Sequence, residues 1–381
     1  MIQWQKRAEA SIAQACCTFS KRPDQFVEGV YPTHCVGTSN GIITTAEGEK
    51  LIDWVCALGA NNNGNSNISS LPSMYEVELA EKLKEVFHVD LVKFLKTGSE
   101  ACSAALRFAR AYTGRKQVYG IGYHGYLNEF ISEEYPGAGT IYQHYTKLES
   151  ISDLIAMVKV TQPAAVILEP VILDYSPEHA TALTELRDLC REREVLFIAD
   201  EIVSSMRVPM FSISNLWGLD PDIIVLGKAL AGHAISVVGG RRDILNATGT
   251  FISTTYGGEI GPIKAALAEL NTVTEKKLED LWNNGENLMR GFNRIAPKVV
   301  KLIGYATRMT WESSSNEMLA LFWQEMLYKG HLLGRSFFVS HTHTEPIIDS
   351  FLEDAREVLH RIVKGDTVLK GLPPRPIFKR Y

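Results

Sequence analysis

The chain has 381 residues, 45% of them hydrophobic and 22% charged, which suffices for two domains with their own cores and excludes a disordered or fibrous polymer. Lys+Arg 39 against Asp+Glu 44 leaves a net charge of −5, so no global attraction to nucleic acid is expected, and the basic tail 370–381 is too short to change that. Residues 1–7 lead into no apolar core of about 7–15 residues and no window reaches the roughly 18 apolar residues of a membrane span, which predicts a cytoplasmic protein without membrane association.

Residues 1–64 contain a turn rich in Gly and Asn, with Gly59, Asn61, Asn62, Asn63 and Gly64. A regular alternation then begins. Short apolar runs rich in β-branched residues, Leu91–Leu95, Ala165–Leu168, Val195–Ala199 and Ile223–Leu226, are separated by stretches of helical length, as in buried parallel strands. Ala101, Ala104, Ala105, Phe108, Ala109 and Tyr112 recur at helical spacing and Gly114 follows as a stop, predicting a helix from just after Ser99. A second helix is expected over Glu178–Glu194, with Leu183, Leu186, Leu189 and Cys190 on one face. Residues 275–381 alternate helical stretches with short strands. The predicted fold is α/β: a large doubly wound, mostly parallel sheet domain over 65–274, and a smaller α+β domain built from 1–64 and 275–381.

In such a sheet, ligands bind at the carboxyl ends of the strands, and the chemistry-bearing residues follow the apolar runs. After Leu91–Leu95 comes Lys96-Thr97-Gly98-Ser99-Glu100-Ala101, a small-residue turn opening a helix, where free amides and hydroxyls can hold a phosphate. An ordinary N-cap at Ser99 would account for it equally. Val195–Ala199 runs into Asp200-Glu201, a carboxylate at the sheet mouth or a cap. Ile223–Leu226 runs into Gly227-Lys228. Lysines at strand ends are usually solvated, but the flanking apolar residues predict a partly dry crevice for Lys228, where desolvation favours the neutral, imine-forming amine. Tyr123-His124-Gly125, after Val118–Ile121, can supply a ring that stacks on a flat ligand. Phosphate cradle, carboxylate, lysine and aromatic lid are together what pyridoxal 5'-phosphate requires. The six cysteines (Cys16, Cys17, Cys35, Cys56, Cys102, Cys190) form no C-x-x-C pair, so reduced, mostly buried thiols and no metal site are expected.

In this order, Thr97-Gly98-Ser99-Glu100-Ala101, Gly122-Tyr123-His124-Gly125, Leu168-Glu169-Pro170, Asp200-Glu201-Ile202, the run Pro221–Lys228 and Thr254-Thr255-Tyr256-Gly257-Gly258 resemble the class III aminotransferases, its aminomutase members above all. That family comprises fold-type I pyridoxal phosphate enzymes, and similarity runs from about Gly29 to Ile347. The resemblance implies Lys228 as the Schiff-base lysine and Asp200 as partner of the pyridine nitrogen. It further implies Ile202 under the ring, Tyr123 stacked on it with His124 alongside, and Thr97, Gly98 and Ser99 at the phosphate. Thr255 would reach the phosphate of a neighbouring subunit, which makes a homodimer with shared active sites the expected assembly.

Several departures bear on the substrate. Where aminomutase members carry an arginine that holds a carboxylate, this chain reads Gly29-Val30-Tyr31-Pro32-Thr33-His34-Cys35, so that clamp is missing and His34 stands near its place. The turn after the lysine, Gly232-His233-Ala234, lacks the family's proline and sets His233 near the crevice, as an acid or base or as a turn residue. Glu259 replaces a usual Asn. Arg335 is a candidate replacement clamp or a solvated surface residue, and His341 and His343 alternate as in a strand. Shortening around Asn61–Ser70, Ser313–Asn316 and Ser336–Val339 predicts an open entrance.

The expected activity is an aminotransferase or aminomutase acting on a small-molecule amine or amino acid. Alternatives are a decarboxylase of an amino acid or of a conjugate with a sugar or nucleobase, and a non-catalytic binding protein that keeps the fold.

Overall fold

The computed structural model describes residues 2–61, 67–131, 144–295 and 298–374. The expected turn residues Asn62, Asn63 and Gly64 lie outside the described residues, as does most of the basic tail. Three sheets form: β1 (Cys35–Ser39), β2 (Ile42–Thr45) and β3 (Lys50–Ile52) in one; β4 (Leu91–Leu95), β5 (Val118–Ile121), β6 (Tyr145–Lys147), β7 (Ala165–Leu168), β8 (Leu196–Asp200), β9 (Ile223–Leu226) and β10 (Ser236–Gly240) in the second; β11 (Val300–Tyr305), β12 (Arg308–Ser313) and β13 (Ser336–Phe338) in the third. The α-helices are α1 (Ile2–Ser11), α2 (Met74–Phe87), α3 (Gly98–Thr113), α4 (Ile151–Val160), α5 (Pro177–Glu192), α6 (Ile213–Leu216), α7 (Arg242–Leu245), α8 (Ile260–Thr272), α9 (Glu275–Asn293), α10 (Asn316–Tyr328) and α11 (Glu345–Lys364).

The central sheet runs β4-β10-β9-β8-β7-β5-β6, with β9, β8, β7, β5 and β6 paired in parallel and β10 antiparallel to both its neighbours. Every residue of β4, β7, β8, β9 and β10 is buried, which is why these segments read as mainly apolar rather than alternating, and the charged Lys93 within β4 is buried too, donating to Cys16 O at 2.7 Å. α3 packs on β9 and β10, and its apolar face closes a core with Leu91, Val118, Ile167, Ile198, Val225 and Val238. This is the α/β architecture of fold-type I enzymes.

Local signals set the ends of these elements. α3 begins at Gly98, because Thr97, and not Ser99, is the N-cap. Its Oγ1 accepts from Glu100 N at 3.2 Å, and Glu100 Oε2 accepts from Thr97 N at 2.8 Å, a reciprocal capping box. Gly114, at φ +68°, ends the helix as expected. β8 starts one residue later than expected, since Val195 N still bonds back to Cys190 O at 2.8 Å as α5 unwinds through Glu194. His341 and His343 lie in a turn, not a strand, and Ser340 N donates to His343 Nδ1 at 3.0 Å.

The chain divides into two compact units. The first comprises 1–170, 178–206 and 210–274; the second comprises 171–177, 207–209 and 275–381. Residues 1–64 group with the first unit. There α1 packs on α2, Arg7 pairs with Glu81 at 2.6 Å, and buried Ile12 bridges to Val92 of β4. The second unit holds β11–β13 with α9, α10 and α11, around Phe292, Trp311, Phe322 and Phe351. Among the described residues, no helix is long and apolar enough to cross a membrane.

Candidate active site

β8 and β9 are parallel neighbours in the register Asp200↔Val225, so Asp200 and the Gly227-Lys228 step leave the sheet side by side at its carboxyl edge. Asp200 is 3% exposed. Its Oδ2 lies 2.7 Å from His124 Nδ1 and accepts from the Cys102 thiol at 3.3 Å, while Oδ1 accepts from Ile202 N at 3.1 Å. An ionised carboxylate can only accept, which places a proton on His124 Nδ1. His124 is itself buried, and its Nε2 has no partner among the described residues.

His124 is aimed by a backbone constraint. It precedes Gly125, whose φ of +118° suits glycine. A Cβ at Gly125 would also fall 2.3 Å from Ser99 Oγ and 2.7 Å from Ser99 Cα. The loop is clasped to the first turn of α3, where Ser99 Oγ accepts from Tyr126 N at 3.3 Å. Tyr123, one residue before His124, is 56% exposed on the solvent side of the same loop. Gly98 and Ser99 carry the first amides of α3, which have no intrahelical acceptor in any helix. The Thr97 hydroxyl is occupied by the cap.

After Asp200 the chain turns rather than running on extended, because Asp200 Oδ1 takes the Ile202 amide two residues on. The Ile202 side chain nonetheless lies between two functional turns. A Cβ at Gly98 would come within 2.7 Å of Ile202 Cδ1, and one at Gly227 within 3.5 Å of Ile202 Cγ2. Glycine at 98 and 227 is what lets Ile202 pack directly against both turns.

Lys228 stands in a left-handed backbone conformation, φ +45°, opening a short 3-10 turn. It is exposed within this chain, not in a dry crevice. Thr255 is likewise exposed on the turn 255–258. That turn is tied to the start of α3 by Glu259, whose carboxylate meets Lys96 Nζ at 2.5 Å. Replacing the family's Asn with Glu thus supplies an ion pair. Glu201, next to Asp200, is consumed structurally: fully buried, it accepts from Ile213 N, Ser214 N and Ser204 Oγ, and burial pushes its carboxyl up.

The two candidate clamps have other surroundings. His34 is buried 1% exposed near Trp4, and burial lowers it to about 4, so it offers no cation at neutral pH. Arg335 donates to Pro374 O at 2.8 Å within the second unit. His233 is exposed, and its carbonyl accepts from Ile235 N. Cys102 went unnoticed in the sequence as a partner of Asp200: spaced on the apolar face of α3, it carries no signal beyond that of a small core residue.

The site fits pyridoxal phosphate on its own features: a buried carboxylate held from two sides, a buried ring nitrogen at His124 without a partner among the described residues, amides at a helix start, and an apolar side chain, Ile202, packed between the two glycine turns.

A family profile, aminotransferase class-III, matches residues 66–304, more than half of the chain. The glutamate-1-semialdehyde 2,1-aminomutases of Methanococcoides burtonii and Thermomicrobium roseum are each 28% identical, over 70% and 88% of this chain and 73% and 93% of theirs. A solved transaminase with PLP bound superposes with a TM-score of 0.70 over 96% of this chain and 98% of its own, at 21% identity, a likeness of fold.

Proposed function

The chain belongs to the class III aminotransferase family, and from that premise we propose how its residues serve a pyridoxal phosphate enzyme that moves an amino group, between molecules or within one. It is an enzyme of the aminotransferase and aminomutase type, with pyridoxal 5'-phosphate as cofactor. The observation that carries the assignment of roles is Asp200, an acid buried at the end of β8, pinned by His124 and set beside the Lys228 strand end.

When bound, the cofactor supplies an aldehyde for the substrate amine and a ring that takes up the electron pair of a broken C–H bond. Asp200 keeps a proton on the ring nitrogen, which makes that uptake favourable. His124 Nδ1 orients the carboxylate. Ile202, packed between the Gly98 and Gly227 turns, would support one face of the ring and Tyr123 would cover the other. The Gly98 and Ser99 amides and the Ser99 hydroxyl bind the phosphate at the positive end of α3, with Thr97 shaping the turn as its cap. Lys228 Nζ would hold the cofactor covalently and, when released, would be the base that takes up and gives back the substrate proton.

A homodimer completes this site, with Thr255 reaching the phosphate held by the neighbouring subunit. Support comes from large apolar side chains left in solvent on the first unit, Trp54, Leu58, Phe251 and Tyr256, and from the exposure of Lys228 and Thr255 within one protomer. The substrate is a small amine or amino acid. The proposed location is the cytoplasm, in keeping with six free cysteines.

The test has two parts. The purified protein should show a visible band at roughly 400–430 nm that shifts on adding amines. Mass spectrometry of products from a pool of amines and amino acids should show amino-group movement. A colourless protein whose spectrum no amine alters would sink the proposal.

A further inference from the structure

Cys102 has no part in the roles assigned above, yet it is one of two side chains bonded to Asp200. It lies on α3 one turn beyond Ser99, fully buried, and its thiol donates to Asp200 Oδ2 at 3.3 Å. The polar atoms of Cys102, His124 and Asp200 all lie within 4.8 Å of one another. Their pattern is asymmetric. Oδ2 accepts from two side chains, His124 and Cys102, whereas Oδ1 accepts a single bond, from Ile202 N. A carboxylate offers about four acceptor sites; three are filled from among the described residues, and the open one is on Oδ1.

We propose that Cys102 is a positioning residue: its S–H fills Oδ2 and stabilises the carboxylate as an anion, leaving Oδ1 to meet the ring nitrogen of the cofactor. This rests on Asp200 being the partner of that nitrogen. The thiol is suited to the task because it stays protonated, burial and the neighbouring Asp200 holding it well above its ordinary range. Its sulfur adds no charge to a pocket that already contains one. The groups facing Asp200 are His124 from the loop after β5, Cys102 from α3 and Tyr145 from β6, with the charges of Glu169 after β7 and Lys228 after β9 acting on the same space.

Donation and packing make opposite demands on a substitute. Valine loses the donor and adds a branched methyl, serine keeps a donor and loses volume, and threonine has the shape of valine with a donor, so the valine–threonine pair separates donation from packing. Apoprotein of each variant is titrated with pyridoxal phosphate between pH 5 and 8, following the visible band for affinity. Cys102→Val should bind about three- to tenfold more weakly at pH 7. Cys102→Ser and Cys102→Thr should follow the wild type. Wild-type behaviour of Cys102→Val, or Cys102→Ser as weak as Cys102→Val, reduces Cys102 to a filler of space and overturns the inference while leaving Asp200 its role. If Asp200→Asn keeps both full affinity and full rate, the role of Asp200 fails and the inference falls with it.

Discussion

Gly125→Ala tests whether the clasp between the His124 loop and α3 builds the cofactor pocket. The new Cβ would lie 2.3 Å from Ser99 Oγ, 2.5 Å from Ser99 Cβ and 2.7 Å from Ser99 Cα. The last of these is helix backbone, so no side-chain rotation relieves the overlap. A φ of +118° is strained for any residue with a Cβ, at about 1–3 kcal/mol, and overpacking adds about 1–3 kcal/mol. The cheapest relief is for the loop to lift from α3, which carries His124 away from Asp200 and moves Tyr123 with it. If about 2 kcal/mol of this cost must be met again whenever the cofactor binds, affinity falls by at least ~30-fold. The assay is titration of the apoprotein with pyridoxal phosphate, with thermal unfolding alongside. Gly41→Ala is the control. In the turn between β1 and β2, at φ +73° with nothing within 4 Å of its Cβ, it should lose about 1 kcal/mol of stability and no cofactor affinity. Wild-type affinity and melting temperature in Gly125→Ala would refute the reasoning.

Lys228→Ala should fold and show no covalent cofactor band, with activity lost; circular dichroism, absorbance and product formation check the three separately, and wild-type turnover would contradict its role. Asp200→Asn should still take up cofactor, more weakly, and lose most of its rate, because a neutral amide does not hold the ring nitrogen protonated; burst kinetics with a reactive amine read this directly. His34 titrates at about 4 in the folded chain against 6.5 unfolded. A depressed folded value means its stability is present above pH 6.5 and is lost as pH falls toward 4, by about 3 kcal/mol at the limit. The urea midpoint should therefore drop between pH 7 and pH 4.5, and His34→Gln should flatten that acid limb; equal slopes in both proteins would exclude His34 as the cause.

Much of the molecule follows from local properties of the chain. Mainly apolar runs belong to strands covered on both faces, so Leu91–Leu95, despite Lys93, and Ala165–Leu168 and Ile223–Leu226 are legible in the sequence by itself, and with them the residues that leave their ends. The start of α3 and its end at Gly114 are equally local, since a cap bonds to amides two or three residues away; even so, the choice of Thr97 over Ser99 as the cap turns on backbone angles that composition does not specify. Only tertiary structure decided how distant groups meet. Cys102 reaches Asp200 across 98 positions and Lys96 reaches Glu259 across 163, pairings made by the stacking of α3 on the sheet rather than by any spacing in the chain. Burial was undecided for the same reason: His34 and Lys228 are both polar residues beside apolar neighbours, and whether water reaches them depends on which segments fold over them. α1 and Trp4 do so for His34, whereas Lys228 stays open to solvent among the described residues of one chain.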